Sequence, residues 1–92
     1  MKYLTFHLGL RDKGECLDFL IGNTCNVRLM TKANYDKYVK GEDYDFIGGP
    51  KDSNCEPMEI PYDENWKVVL DTQGLPGDPK GMVRIIDYED KI

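Results

Sequence analysis

The chain predicts a small, mainly β domain, a barrel or sandwich of five to seven short strands with one short helix. Three observations carry this expectation. Apolar residues recur with a period of two in several short runs, glycine and proline clusters separate the runs, and a single stretch near the middle has helical spacing with a cap at each end. Ninety-two residues suit one domain with one core, so residues 1–92 are read as a single unit.

Residues 2–8 place Leu4, Phe6 and Leu8 on one face and Tyr3, Thr5 and His7 on the other, the pattern of a half-buried strand. A polar stretch ending in Gly14 leads to residues 15–21, where Leu17, Phe19 and Ile21 alternate with Cys16, Asp18 and Leu20. These two strands are expected to pair as a hairpin. Gly22-Asn23 interrupts the pattern, and residues 25–30 resume it with Val27 and Leu29 inward. Thr31 is a good N-cap and Gly41 a natural C′ residue; between them Tyr35, Tyr38 and Val39 stand at i, i+3 and i+4. A helix of about ten residues is marginal alone, so its aromatic stripe must pack on the sheet.

Residues 44–47 read as a further short strand stopped by Gly48-Gly49-Pro50, with a loop over 50–57. The clearest strand is residues 65–71, where Trp66, Val68 and Leu70 share a face. Three glycines and two prolines in residues 72–81 exclude regular structure there; residues 82–86 form the last strand and 87–92 a frayed, mostly acidic tail.

A net charge of −5, with lysines scattered among carboxylates, opposes binding to nucleic acid or to an anionic membrane. The alternating first residues lack the apolar core of a signal peptide, and no run approaches the roughly 18 apolar residues of a membrane span. Cys16, Cys25 and Cys55 are an odd number without paired spacing, so the chain reads as reduced and cytoplasmic, without a zinc site or disulfide framework. One serine, Ser53, and one histidine, His7, offer little for a nucleophilic triad, and no metal-ligand spacing is present. A non-catalytic domain without a cofactor is therefore expected.

Binding has better material. Arg28 projects opposite Val27 and Leu29 and could present its planar fork to a phosphate, unless one of the many acids claims it in an ion pair. Tyr35 and Tyr38 could stack on a base, or serve as core residues with their hydroxyls outward. Asn34 could read a hydroxyl or base edge. Gly48 and Gly49 could bare backbone N–H groups to an anion, or simply end a strand.

Read in order, Asn26-Val27-Arg28-Leu29-Met30, Asn34-Tyr35, Tyr38 with Gly41, Tyr44-x-Phe46-x-Gly48-Gly49, Ile60-Pro61 and Trp66-Lys67-Val68-Val69-Leu70-Asp71 with Gly74 and Gly77 resemble a family of uncharacterised small bacterial domains. Members of that family occur alone or joined to Toll/interleukin-receptor (TIR) domains. The resemblance runs from about residue 3 to residue 86 and departs from the family pattern in the 50–57 loop and at Asp63-Glu64-Asn65. It implies a compact β domain and no catalytic residues. Because TIR domains convert NAD into ADP-ribose-type signals in bacterial defence, it also implies one of two partners: the TIR machinery itself, or a small nucleotide-derived signal, bound or sequestered in defence or in phage counter-defence. Arg28 would then meet phosphate, Tyr35 and Tyr38 the base, and two or more copies could assemble the pocket. The alternative is a protein-interaction module that contacts its partner through a sheet edge or the 72–81 loop.

Overall fold

The computed structural model describes residues 2–86; the tail expected at 87–92 lies outside the described residues. Seven strands and one helix follow in the order β1 (Tyr3–Arg11), β2 (Cys16–Ile21), β3 (Cys25–Thr31), α1 (Lys32–Lys40), β4 (Ile47–Lys51), β5 (Met58–Glu59), β6 (Glu64–Asp71) and β7 (Gly81–Ile86). They form two antiparallel sheets, one ordered β1-β6-β3-β4 and the other β5-β2-β7. The mainly β expectation holds, and the arrangement is a sandwich.

Period-two patterning builds the core. Leu17, Phe19 and Ile21 of β2 meet Cys25, Val27 and Leu29 of β3 and Trp66, Val68 and Leu70 of β6, with Ile60 closing one end. Strands β3 and β6 are buried on both faces, because α1 covers the outer side of the larger sheet. There Met30, Val69 and Tyr38 form a second, smaller cluster with Tyr35 and Tyr44 at its margin. Three layers result: small sheet, large sheet, helix.

The helix forms where its caps dictate. Thr31 keeps an extended backbone and its Oγ1 accepts from the Asn34 N–H, while Gly41 takes the left-handed conformation (φ 79°) and its N–H closes the last turn.

Two expectations are corrected. Strands β1 and β2 do not pair as a hairpin: β1 pairs with β6 in one sheet, and β2 with β5 and β7 in the other. The turn between them crosses the sandwich, held by the Gly14 N–H on the Ile60 carbonyl and the Lys13 N–H on the Asp63 carboxylate. Two alternating runs joined by a polar turn look alike whether they share a sheet or face each other across a core.

The second correction concerns residues 44–50. Gly48-Gly49-Pro50 lies inside β4 and does not end a strand over 44–47. Tyr44 and Phe46 instead turn their rings onto Tyr38 and Arg28. Gly48 can enter the ladder because it has no side chain: a Cβ there would overlap the Val27 carbonyl oxygen, at φ +126°. Pro50 is tolerated because β4 is an edge strand.

Candidate functional site

Alternation along β3 and β6 sends Asn26, Arg28 and Asp71 to the helix-covered face of the large sheet. Asp71 is fully buried there, an acid that can persist as a carboxylate only if its oxygens are satisfied. They are. Arg28 donates from Nε to Oδ2 at 2.9 Å and from Nη2 to Oδ1 at 3.4 Å. The Tyr38 hydroxyl donates to Oδ2 at 2.7 Å, Asn26 Nδ2 to Oδ1 at 2.7 Å, and the Gln73 backbone N–H to Oδ1 at 3.2 Å. Burial by itself raises the Asp71 pKa, but the hydrogen bonds from Arg28, Asn26 and Tyr38, with the Arg28 charge, outweigh it and hold the group below the usual carboxylate range. Burial first, then the bond to Asp71, pushes the Tyr38 hydroxyl far above its ordinary value, so it remains a donor.

Arg28 is covered as well. Its guanidinium carbon lies 4.6 Å from the centre of the Phe46 ring and 5.9 Å from that of Tyr44, and only 11% of its side chain is exposed. A chain of aromatic contacts runs from Tyr3 through Tyr38 and Tyr44 to Phe46. Among the described residues Nη1 of Arg28 has no hydrogen-bond partner.

The six residues singled out from the sequence do not converge on one site. Arg28 and Tyr38 share the Asp71 carboxylate. Tyr35 bonds through its hydroxyl to Thr5 Oγ1 at 3.1 Å and sits edge-on to His7. Asn34 bridges the helix start to the next segment, with Nδ2 on Thr31 Oγ1 and Oδ1 accepting from the Asp45 N–H. Asn34 also lines a 90 Å³ cleft beside Phe46, Tyr62 and Trp66, well below the roughly 300–1,000 Å³ of pockets that enclose drug-sized ligands. Gly48 is the cross-strand partner of Arg28 and Gly49 that of Val27, so both glycines serve the β3–β4 ladder.

Asp71 and Asn26 stand in the motifs that carry the family resemblance but are not among the candidate binding residues read from the sequence. Asp71 ends an apolar strand, where an acid ordinarily marks the return to solvent. The signal that could have found it is phase: Asp71 stands two residues from Val69, on the side of β6 that a covering helix would bury.

A second surface was also missed. On the outer face of the small sheet Leu20 is 71% and Met82 63% exposed, and the two are direct cross-strand partners. Beside them Arg84 pairs with Asp18 at 2.9 Å, and Asp18, Leu20, Met82, Val83 and Arg84 outline a concavity of about 310 Å³. Next to this patch β7 is an edge: among the described residues its ladder partner is β2 alone.

The edge groups can be identified. The Gly22 N–H donates to the Lys80 carbonyl, so the 22/80 pair exchanges bonds, and by antiparallel alternation so do 20/82, 18/84 and 16/86. The N–H and C=O groups of Gly81, Val83 and Ile85 therefore point away from β2. Among the described residues they have no partner.

The remaining reactive groups are quiet. Cys25 is buried, and burial, then Asp71 and Cys55, raises its pKa; Cys55 is raised too, burial first. Among the described residues no cluster of three or more His, Cys, Asp or Glu side chains could hold a metal, and no helix is long and apolar enough to cross a membrane.

A family model described as "Domain of unknown function (DUF1883)" matches residues 1–88 of the chain. No curated protein and no solved structure matches the chain.

Proposed function

Since the chain belongs to the DUF1883 family, whose description specifies no activity, we propose from geometry that it is a non-catalytic interaction domain that binds a partner polypeptide as an added strand on β7. The observation that carries this is the bare edge: six regular residues, with no proline and no bulge, whose outward N–H and C=O groups lie beside an exposed Leu20–Met82 patch. Main-chain hydrogen bonds would provide affinity, and the concavity between Leu20 and Arg84 would select an apolar side chain.

Amide chemical shifts test it. On titration with short peptides of alternating apolar and polar residues, the amide protons of Gly81, Val83 and Ile85 should move strongly, and those of Met82 and Arg84, already bonded to β2, much less. Peptides that leave all five unmoved, or that perturb another face, would defeat the reading.

The second reading, a small nucleotide-derived ligand of the kind TIR enzymes make, in defence or counter-defence, is supported by the free Nη1 of Arg28 and by the family resemblance. Against it stand the Asp71 carboxylate, which already neutralises Arg28, and the buried position of Tyr38. Heat on mixing with ADP-ribose, lost in Arg28→Lys, would revive it.

A further inference from the structure

Among the described residues the sandwich has four strand edges, and three are guarded. Strand β1 is broken by a bulge between His7 and Gly9, β4 contains Pro50 beside two glycines, and β5 is two residues long. Among the described residues strand β7 has none of these protections, so its outward groups are a ready template for pairing with another strand.

Resting on the strand-addition reading, we infer that the occupant of this edge is a second copy of the chain, with β7 pairing to β7 about a two-fold axis through Val83. Parity narrows the choice. Facing residues of an antiparallel pair point to the same side, so an inward residue must meet an inward one. Gly81, Val83 and Ile85 face inward, opposite Ile21, Phe19 and Leu17. An axis at Met82 would set Pro79, which has no N–H, opposite Ile85. An axis at Arg84 would set two guanidinium groups face to face.

The axis at Val83 uses every free group. Val83 exchanges both bonds with Val83 of the second copy, and Gly81 of each chain does so with Ile85 of the other. Ile85, inward but 38% exposed in the single chain, then lies beside a glycine with no side chain to obstruct it. On the outer face each row reads Leu20, Met82, then Arg84 and Asp18 of the second copy. A chain of net charge −5 repels its like, but this patch carries an acid and a base in balance, and the two-fold axis sets each one's apolar pair against the other's ion pair.

Light scattering on the full chain over a concentration series should show the mass rising toward twice 10.6 kDa. Val83→Pro removes an N–H that faces away from β2, so the fold should survive by circular dichroism while the mass falls to that of one chain. Substitution at the exposed Met82 reads the register: Met82→Arg, facing Arg84 of the second copy, should weaken association at least tenfold, whereas Met82→Glu should strengthen it. A single-chain mass at every concentration, or a dimer indifferent to Val83→Pro and to the sign of the charge at 82, would overturn the inference. A synthetic peptide of residues 80–86 separates this failure from that of the broader reading. If the chain stays single while the peptide shifts the amides of Gly81, Val83 and Ile85, the second copy is wrong and strand addition stands; if they do not shift, both fall.

Discussion

Replacing Arg28 by methionine keeps an unbranched apolar stem and removes the charged guanidinium. In the wild type the guanidinium is nearly covered and the Asp71 carboxylate fully so, which makes this a buried pair and not a surface one. Removing one partner of such a pair typically costs about 3–5 kcal/mol, because the other charge is left uncompensated. At roughly 4–8 °C per kcal/mol for a domain of this size, the lower bound corresponds to a fall in Tm of about 12 °C. The pH dependence carries a sharper signature. With Arg28 present the folded-state pKa of Asp71 is depressed, so its contribution is in place above the unfolded value, about 3.9, and is lost as pH falls through the folded value. With methionine in place burial dominates, the folded pKa rises above the unfolded one, and the variant recovers stability as Asp71 takes up a proton. The stability difference between the two proteins should therefore shrink steadily as pH falls from neutral into the carboxylate range, measured by urea unfolding at a series of pH values. A loss below about 1 kcal/mol, the value of an exposed pair, or a difference that does not change with pH, would refute the assignment of Asp71 as a buried, Arg28-compensated carboxylate.

Tyr38→Phe deletes a 2.7 Å hydrogen bond to that carboxylate while keeping the ring against Tyr3 and Tyr44. A loss of about 1.5–3 kcal/mol is expected by urea unfolding, with an upward shift of the Asp71 pKa followed by NMR. Gly48→Ala should destabilise the domain and break the β3–β4 ladder locally, since the new Cβ would meet the Val27 carbonyl and the backbone is left-handed there. Faster amide exchange at that ladder than in the wild type checks it, and an unchanged exchange pattern would contradict the Gly48 geometry.

Alternation along the chain was enough to specify most strands, because each strand buries one face and the period of two is local information. The helix was equally legible: Thr31 and Gly41 act on their own neighbours, and nothing distant is needed to place its ends. Pairing was not legible. That β1 lies on β6 and that β2 faces it across the core depend on contacts between residues about fifty to seventy apart, and the turn at residues 12–15 is compatible with either arrangement. The site divided in the same way. Arg28 and Tyr38 attracted notice as residue types suited to binding, but their common partner, Asp71, is an ordinary acid at the end of an apolar strand until α1 closes over it. Tertiary structure turned those three into a mutually satisfied buried network, because a carboxylate removed from water must collect donors from whichever elements surround it. It also decided which strand would be an edge: β7 has the same alternating pattern as its neighbours, and only the sheet order leaves its outward groups bare.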